Sequence, residues 1–141
     1  MHASCVAIDH KAVLILGESG AGKSDLALRL IDRGAVLVAD DQVVLRADGG
    51  QLYASPPETI AGKIEARGIG ILSLPYERDA AVMLVVRLVP REQVERMPEP
   101  AFFDCLGIRL PLHLLHAFDE STTSKIRLLL QCPLPTGERE G

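Results

Sequence analysis

Apolar residues along this chain gather into short unbroken runs of the kind that a strand buried on both faces requires, set apart by glycine, proline and charge. Residues 4–8 and 12–16 are two such runs, and Asp9-His10-Lys11 between them reads as a tight turn, so a hairpin is expected. The period then changes. Leu26, Leu28, Leu30 and Ile31 lie on a helix that Arg33-Gly34 ends. Residues 35–39 form another buried strand, stopped by Asp40-Asp41. Residues 43–46 and 51–54 flank the turn-forming Asp48-Gly49-Gly50 and predict a second hairpin, after which Ser55-Pro56-Pro57 begins a loop. Residues 63–72 mix charge with glycine before an apolar strand, and residues 80–88 are a strongly apolar strand. A proline-punctuated connection over 90–100 leads to a last strand segment over 106–115. Residues 121–131 read as a closing helix, with Ile126, Leu129 and Leu130 spaced to face the core, and residues 133–141 as a loose tail.

Between the second run and the first helix stands Gly17-Glu18-Ser19-Gly20-Ala21-Gly22-Lys23-Ser24, which fits G-x-x-x-x-G-K-[ST] in the strand-to-helix context that this pattern needs. The glycines let the backbone curl around a phosphate chain, so that several N–H groups and the positive end of the helix point at one anion. Lys23 adds a mobile cation and Ser24 a hydroxyl for Mg²⁺. An ordinary turn explains the glycines but not that lysine and serine. The chain is therefore expected to bind a nucleoside triphosphate. A right-handed crossover sets the end of the 35–39 strand near the loop, so Asp40 and Asp41 reach the nucleotide's edge. One of them can face metal and phosphates while the other turns aside, unless the strand has already ended, and the pattern leaves open which. Cross-strand partners in the first hairpin sum to about twenty in residue number, which sets His2 opposite Gly17-Glu18 and beside the phosphates. A frayed terminus is the plain alternative for His2.

A length of 141 residues is that of one domain, 1–141. With 48% apolar residues, 4% aromatic and no Trp, the core is expected to be aliphatic. A net charge of −4 offers no general attraction to polyanions and argues against nucleic acid as a partner. Cys5, Cys105 and Cys132 are odd in number and lack C-x-x-C spacing, which indicates neither a disulfide framework nor zinc. No run approaches the ~20 apolar residues of a membrane span, and Met1-His2-Ala3-Ser4-Cys5 lacks the basic flank of a secretion signal, so no membrane partner and a cytoplasmic location are expected. His113 and His116 have a spacing that serves a metal on a helix, but Leu112, Leu114 and Leu115 favour strand packing.

With the loop, the aspartate pair and residues 64–72 taken together, most of the chain resembles the catalytic domain of HPr kinase/phosphorylase. The resemblance rests on GESGAGKS, on Ala39-Asp40-Asp41, and on Ile64-Glu65-Ala66-Arg67-Gly68-Ile69-Gly70-Ile71, which is similar to the family signature L-E-[VI]-R-G-[LIMV]-G-[IV]. His2 falls where the family has its active-site histidine. The resemblance implies an α/β fold, a P-loop (Walker A) domain with a mixed sheet, and a kinase that uses ATP and Mg²⁺. It also implies as partner HPr or a related phosphocarrier protein of the phosphotransferase system, and a homo-oligomer, hexameric in the family. Residue by residue, it implies that Lys23 holds the phosphates, that Ser24 and Glu65 hold Mg²⁺, and that Asp40 supports metal and loop. Asp41 becomes the catalytic carboxylate, accepting the proton of a substrate serine as that oxygen attacks the terminal phosphate, and donating it in the reverse reaction with inorganic phosphate. Such chemistry depends chiefly on alignment and on cations that compensate charge, which the implied parts supply.

Three departures from the family pattern alter these expectations. The family's additional N-terminal domain has no counterpart here, so a short form reduced to the catalytic domain is expected. The family's catalytic arginine occurs in a motif like F-D-R-L-G, where this chain has Phe103-Asp104-Cys105-Leu106-Gly107, and Arg109 is the candidate replacement cation. A basic P-V-K-V-G-type loop associated with phosphorolysis gives way to Phe118-Asp119-Glu120-Ser121-Thr122-Thr123, so kinase activity is expected more readily than phosphorylase activity. The alternative is a catalytically impaired, nucleotide-sensing regulatory module. A small-molecule kinase is a third reading, against which residues 90–107 hold no arginine-rich lid beyond Arg91 and Arg96.

Overall fold

A computed structural model describes residues 1–131. Cys132 and the tail expected over 133–141 lie outside the described residues. Asp9 and His10, at φ 51° and 66°, form the turn that returns β1 (Ser4–Ile8) onto β2 (Lys11–Leu16), with Ile8 opposite Lys11. Positive φ at both central residues gives a two-residue turn the twist of the strands it joins. From β2 the chain enters α1 (Lys23–Asp32) and comes back as β3 (Val36–Ala39), which pairs antiparallel with the far edge of β1. Thus β3 runs parallel to β2 with β1 inserted between them. On the other side of β2 lies β8 (Ala80–Leu88), parallel to it, and then β10 (Ile108–Leu115), parallel to β8. The edge strand β9 (Ala101–Cys105) is antiparallel to β10. The order is β3-β1-β2-β8-β10-β9, an α/β fold with a mixed sheet, as expected. Its consequence is that the C-terminal ends of β2, β3, β8 and β10 share one edge, where open α/β sheets bind ligands.

Period-two alternation sorts the core onto both faces of this sheet. Val6, Ile8, Val13, Ile15, Leu84 and Val86 meet Leu26, Ala27 and Leu30 of α1 and Ile126 and Leu130 of α2 (Thr122–Gln131). Cys5, Ala7, Ala12 and Leu14 face the other way, toward Leu52 and Ala54. These belong to a hairpin of β4 (Val44–Asp48) and β5 (Gln51–Ser55), whose second strand pairs with the start of β8. A separate hairpin of β6 (Lys63–Ala66) and β7 (Gly70–Ser73) packs Ile64 and Leu72 into the α1 side of the core. The aliphatic core and the inward spacing of Ile126 and Leu130 agree with expectation, and Leu129 is partly buried beside them.

Two elements differ, the first being β6, a strand where only a charged, glycine-containing lead-in to a strand is expected. Leu106 and Gly107, expected to begin the last strand, are a turn at φ 49° and 80°, and β9 precedes them. β9 lies at the sheet edge with only half-buried apolar side chains, so it carries no continuous apolar run to betray it. His113 sits in β10 and His116 just after it, so neither lies on a helix and the helical spacing that would set both on one metal is not formed. Among the described residues no helix is long and apolar enough to cross a membrane.

Burial pushes the His113 imidazole below its ordinary pKa. The folded form therefore resists a proton that the unfolded chain accepts, so this contribution is complete above pH ~6.5 and is lost as pH falls toward the depressed value. Melting measured at pH 7.5 and 5.5 is expected to show a larger fall in Tm for the wild type than for His113→Gln. Equal falls would remove His113 as a source of acid sensitivity.

Candidate phosphate-binding and transfer site

The loop between β2 and α1 is shaped by glycine at its last position. Gly22 caps α1 at φ 101°, and a Cβ there would lie 2.8 Å from Ala117 Cβ and 2.9 Å from Phe118 Cζ. Backbone conformation and space therefore both demand glycine. No side chain caps the helix, which leaves its first N–H groups and the positive end of its dipole for an anion. Lys23 is buried, and its Nζ donates to Gly17 O at 2.7 Å and Glu18 O at 3.1 Å, so the ammonium is folded over the loop itself. Glu18, Ser19, Gly20 and Ala21 complete the turn, closed by Ala21 N–H on Glu18 O at 3.0 Å.

The two aspartates take different roles because β3 ends at Ala39. Asp40 is turned inward and is 6% exposed. Its Oδ1 accepts from Ser24 Oγ at 2.6 Å and Ser4 Oγ at 2.8 Å, and its Oδ2 from the Glu65 N–H at 3.2 Å. Asp41 stands at φ 73° inside a three-residue turn closed by Gln42 N–H on Asp40 O at 2.9 Å, a strained geometry. Its exposed carboxylate meets His2, with Nε2 3.0 Å from Oδ1. His2 is no frayed end: Met1 and Val43 exchange hydrogen bonds, the Ala3 N–H donates to Asp41 O, and His2 bridges to Gln42. Backbone strain of this kind concentrates at functional sites.

Glu65 lies on β6 between the buried Ile64 and Ala66, with its side chain exposed and its N–H on Asp40. Ser24 Oγ and the Asp40 carboxylate thus bring oxygens together at the end of the loop, a donor type that suits Mg²⁺, while Glu65 is tied to Asp40 through its main-chain N–H with its side chain exposed. Arg109 is not brought to this group. It sits six residues before Leu115, the β10 residue level with Leu88 at the site edge, so about 20 Å of strand separates them. Its Nε and Nη2 lie 3.0 and 3.3 Å from the Asp104 carboxylate, which it holds below the usual carboxylate range, and it stacks over Phe102.

Two features escaped the sequence reading. Ser4 is fully buried in β1, and a buried hydroxyl within an apolar strand is itself the signal that it serves a partner. Sequence gives the loop after β10 only an acidic and hydroxylic character, yet it packs against Gly22 through Ala117 and Phe118. Arg91, just after β8, grips Asp119 of that loop at 2.8 and 2.6 Å and keeps its carboxyl below the usual range. Burial pushes the Cys5 thiol far up, so it is inert.

A family model described as HPr Serine kinase C-terminal domain matches residues 1–100. An HPr kinase/phosphorylase of Caldanaerobacter subterraneus is 40% identical over 116 residues, covering 77% of this chain and 36% of that protein. One from Clostridium tetani is 45% identical over 109 residues, with the same 77% and 36% coverage. The solved structure of the Hpr(Ser) kinase/phosphatase from Coxiella burnetii superposes with a TM-score of 0.82 at 33% identity, over 93% of this chain and 87% of that one. The chain spans about a third of the length of these curated relatives.

Strain at position 41 is measurable separately from chemistry. Asp41→Gly is expected to leave Tm unchanged or higher, whereas Asp41→Val, β-branched at positive φ, should cost about 1–3 kcal/mol in urea unfolding. Equal stability of the two variants would contradict the strained turn.

Proposed function

The chain belongs to the HPr serine kinase C-terminal-domain family, and we propose that it acts as an ATP- and Mg²⁺-dependent protein-serine kinase on HPr or a related phosphocarrier protein. The observation that carries this reading is the division of labour between neighbours: Asp40 is locked into Ser24 and the loop, while Asp41 is exposed beside His2. A binding module needs the first arrangement only. An exposed carboxylate held in a strained turn one residue away is what a transfer step adds.

In the proposed step the loop N–H groups hold the phosphate chain and Lys23 exchanges its bonds to Gly17 O and Glu18 O for phosphate oxygens. Ser24 and Glu65, with Asp40 behind Ser24, would hold Mg²⁺, which when bound would supply charge compensation to those oxygens. Asp41 takes the proton of the substrate serine as the serine oxygen bonds to the γ-phosphorus and the bond to the bridging oxygen of ADP breaks. His2, on Asp41 Oδ1, orients the carboxylate and leaves Oδ2 for the serine hydroxyl. Arg109 has no part in the step at its own chain's loop, given its distance and its pairing with Asp104. The acidic and hydroxylic loop at 118–123 favours the kinase direction over phosphorolysis. A homo-oligomer in the cytoplasm is part of the same proposal. The regulatory-module alternative finds no support, since Lys23, Ser24, Asp40 and Asp41 are all present at one edge of the sheet.

Transfer of labelled γ-phosphate from ATP to a serine of HPr tests the proposal. Lys23→Ala and Asp41→Asn are each expected to slow it by roughly 10²–10⁴-fold. Transfer unaffected by both substitutions would refute the assignment.

A further inference from the structure

We propose that the groove between α1 and the start of α2, walled by Phe118, is the nucleoside subsite, receiving the ribose and purine ring of the triphosphate. The inference rests on the reading of the loop as a phosphate cradle and asks where the remainder of the nucleotide lies. A cavity of about 580 Å³ opens there, lined among others by Arg29, Phe118, Glu120, Thr123 and Ser124. That volume is in the range of roughly 300–1,000 Å³ usual for small-molecule sites. Its position is set by two contacts. The Phe118 ring lies against Gly22, so the aromatic wall begins where the cradle ends. Arg29 is six residues beyond Lys23 on α1, about 9 Å along the helix, so cradle and cavity are within reach of one nucleotide.

Phe118 is 57% exposed, yet its loop is held at every step. His116 donates from Nδ1 to Val89 O at 3.0 Å and meets the Phe118 ring edge-on at 5.8 Å. Arg29 Nη2 donates to Ala117 O, Arg91 binds Asp119, and Thr122 Oγ1 donates to His116 O. An exposed aromatic ring on so constrained a loop is a preformed stacking face, and a flat heterocycle is the ligand such a face takes. Thr123 supplies an independent observation. It lines the cavity and is 1% exposed, and its Oγ1 has no hydrogen-bond partner among the described residues. Buried hydroxyls are almost always paired, so this one lacks a partner that a ring nitrogen or ribose hydroxyl provides. Glu120, lying beyond the phosphates, is an acceptor for a ribose hydroxyl or an exocyclic amine.

Titration calorimetry of the full chain with ATP and with inorganic tripolyphosphate, each with Mg²⁺, tests the subsite. The wild type is expected to bind ATP more tightly than tripolyphosphate. Phe118→Ala should weaken ATP roughly fivefold to a hundredfold and leave tripolyphosphate unchanged, which also shows that the variant is folded. Phe118→Tyr, keeping the ring, should retain ATP affinity. Thr123→Val is isosteric and removes the orphaned hydroxyl, so it should keep or raise the Tm of the ligand-free protein while weakening ATP. An unaltered ratio of ATP to tripolyphosphate affinity in Phe118→Ala would overturn the subsite and leave the loop reading standing. Binding of neither ligand by the wild type would sink both.

Discussion

A buried carboxylate must have its charge answered by hydrogen bonds, and in this chain the answer to Asp40 organises the whole site. Ser24 from α1, Ser4 from β1 and the Glu65 N–H from β6 converge on its two oxygens. Three elements far apart in sequence are thereby fixed to the end of β3. Removing a single partner would leave charge underground without its donor, a change that costs more than the bond itself contributes. The same carboxylate fixes the Ser24 hydroxyl beside the cradle, so positioning of that hydroxyl and local stability depend on one group.

Topology makes this convergence possible. Because β1 is inserted between β2 and β3, the N-terminal residues lie along the strand end that carries the aspartates. Ala3 donates to Asp41 O and Val43 to Met1 O, and His2 is delivered to Asp41 by backbone pairing rather than by its own side chain. The parallel run of β2, β8 and β10 then brings the loops after β8 and β10 to the same edge, where Arg91 and Asp119 tie them together over the start of α1. One side of the cradle holds acids and a histidine, and the other an aromatic wall.

The parts of this arrangement written locally could be read from the chain alone. Gly22, Lys23 and Ser24 are recognisable because cradle, cation and hydroxyl must follow one another at fixed spacing between strand and helix. Hairpin register sets His2 level with Gly17-Glu18, and the register found, Ser4 with Ile15, agrees with that arithmetic to one residue. Which aspartate faces inward was not legible, since it turns on β3 ending at Ala39 and on the tight turn at Asp41. Ser4 was passed over because a serine opening an apolar run looks like a strand start until its burial is known. Arg109 looked close to the catalytic motif in sequence, but β10 carries it to the end of the sheet opposite the loop, a matter of strand direction that spacing does not encode. β9 was missed for want of burial, and Phe118 for want of knowing which glycine it touches.

The most direct test of the central claim is calorimetric titration of ATP with Mg²⁺ into Asp40→Asn, an exchange that keeps shape but removes the charge answered by Ser24, Ser4 and Glu65. The account predicts a folded protein whose affinity falls at least about tenfold, equivalent to ~1.4 kcal/mol or more. Wild-type affinity in that variant would contradict it.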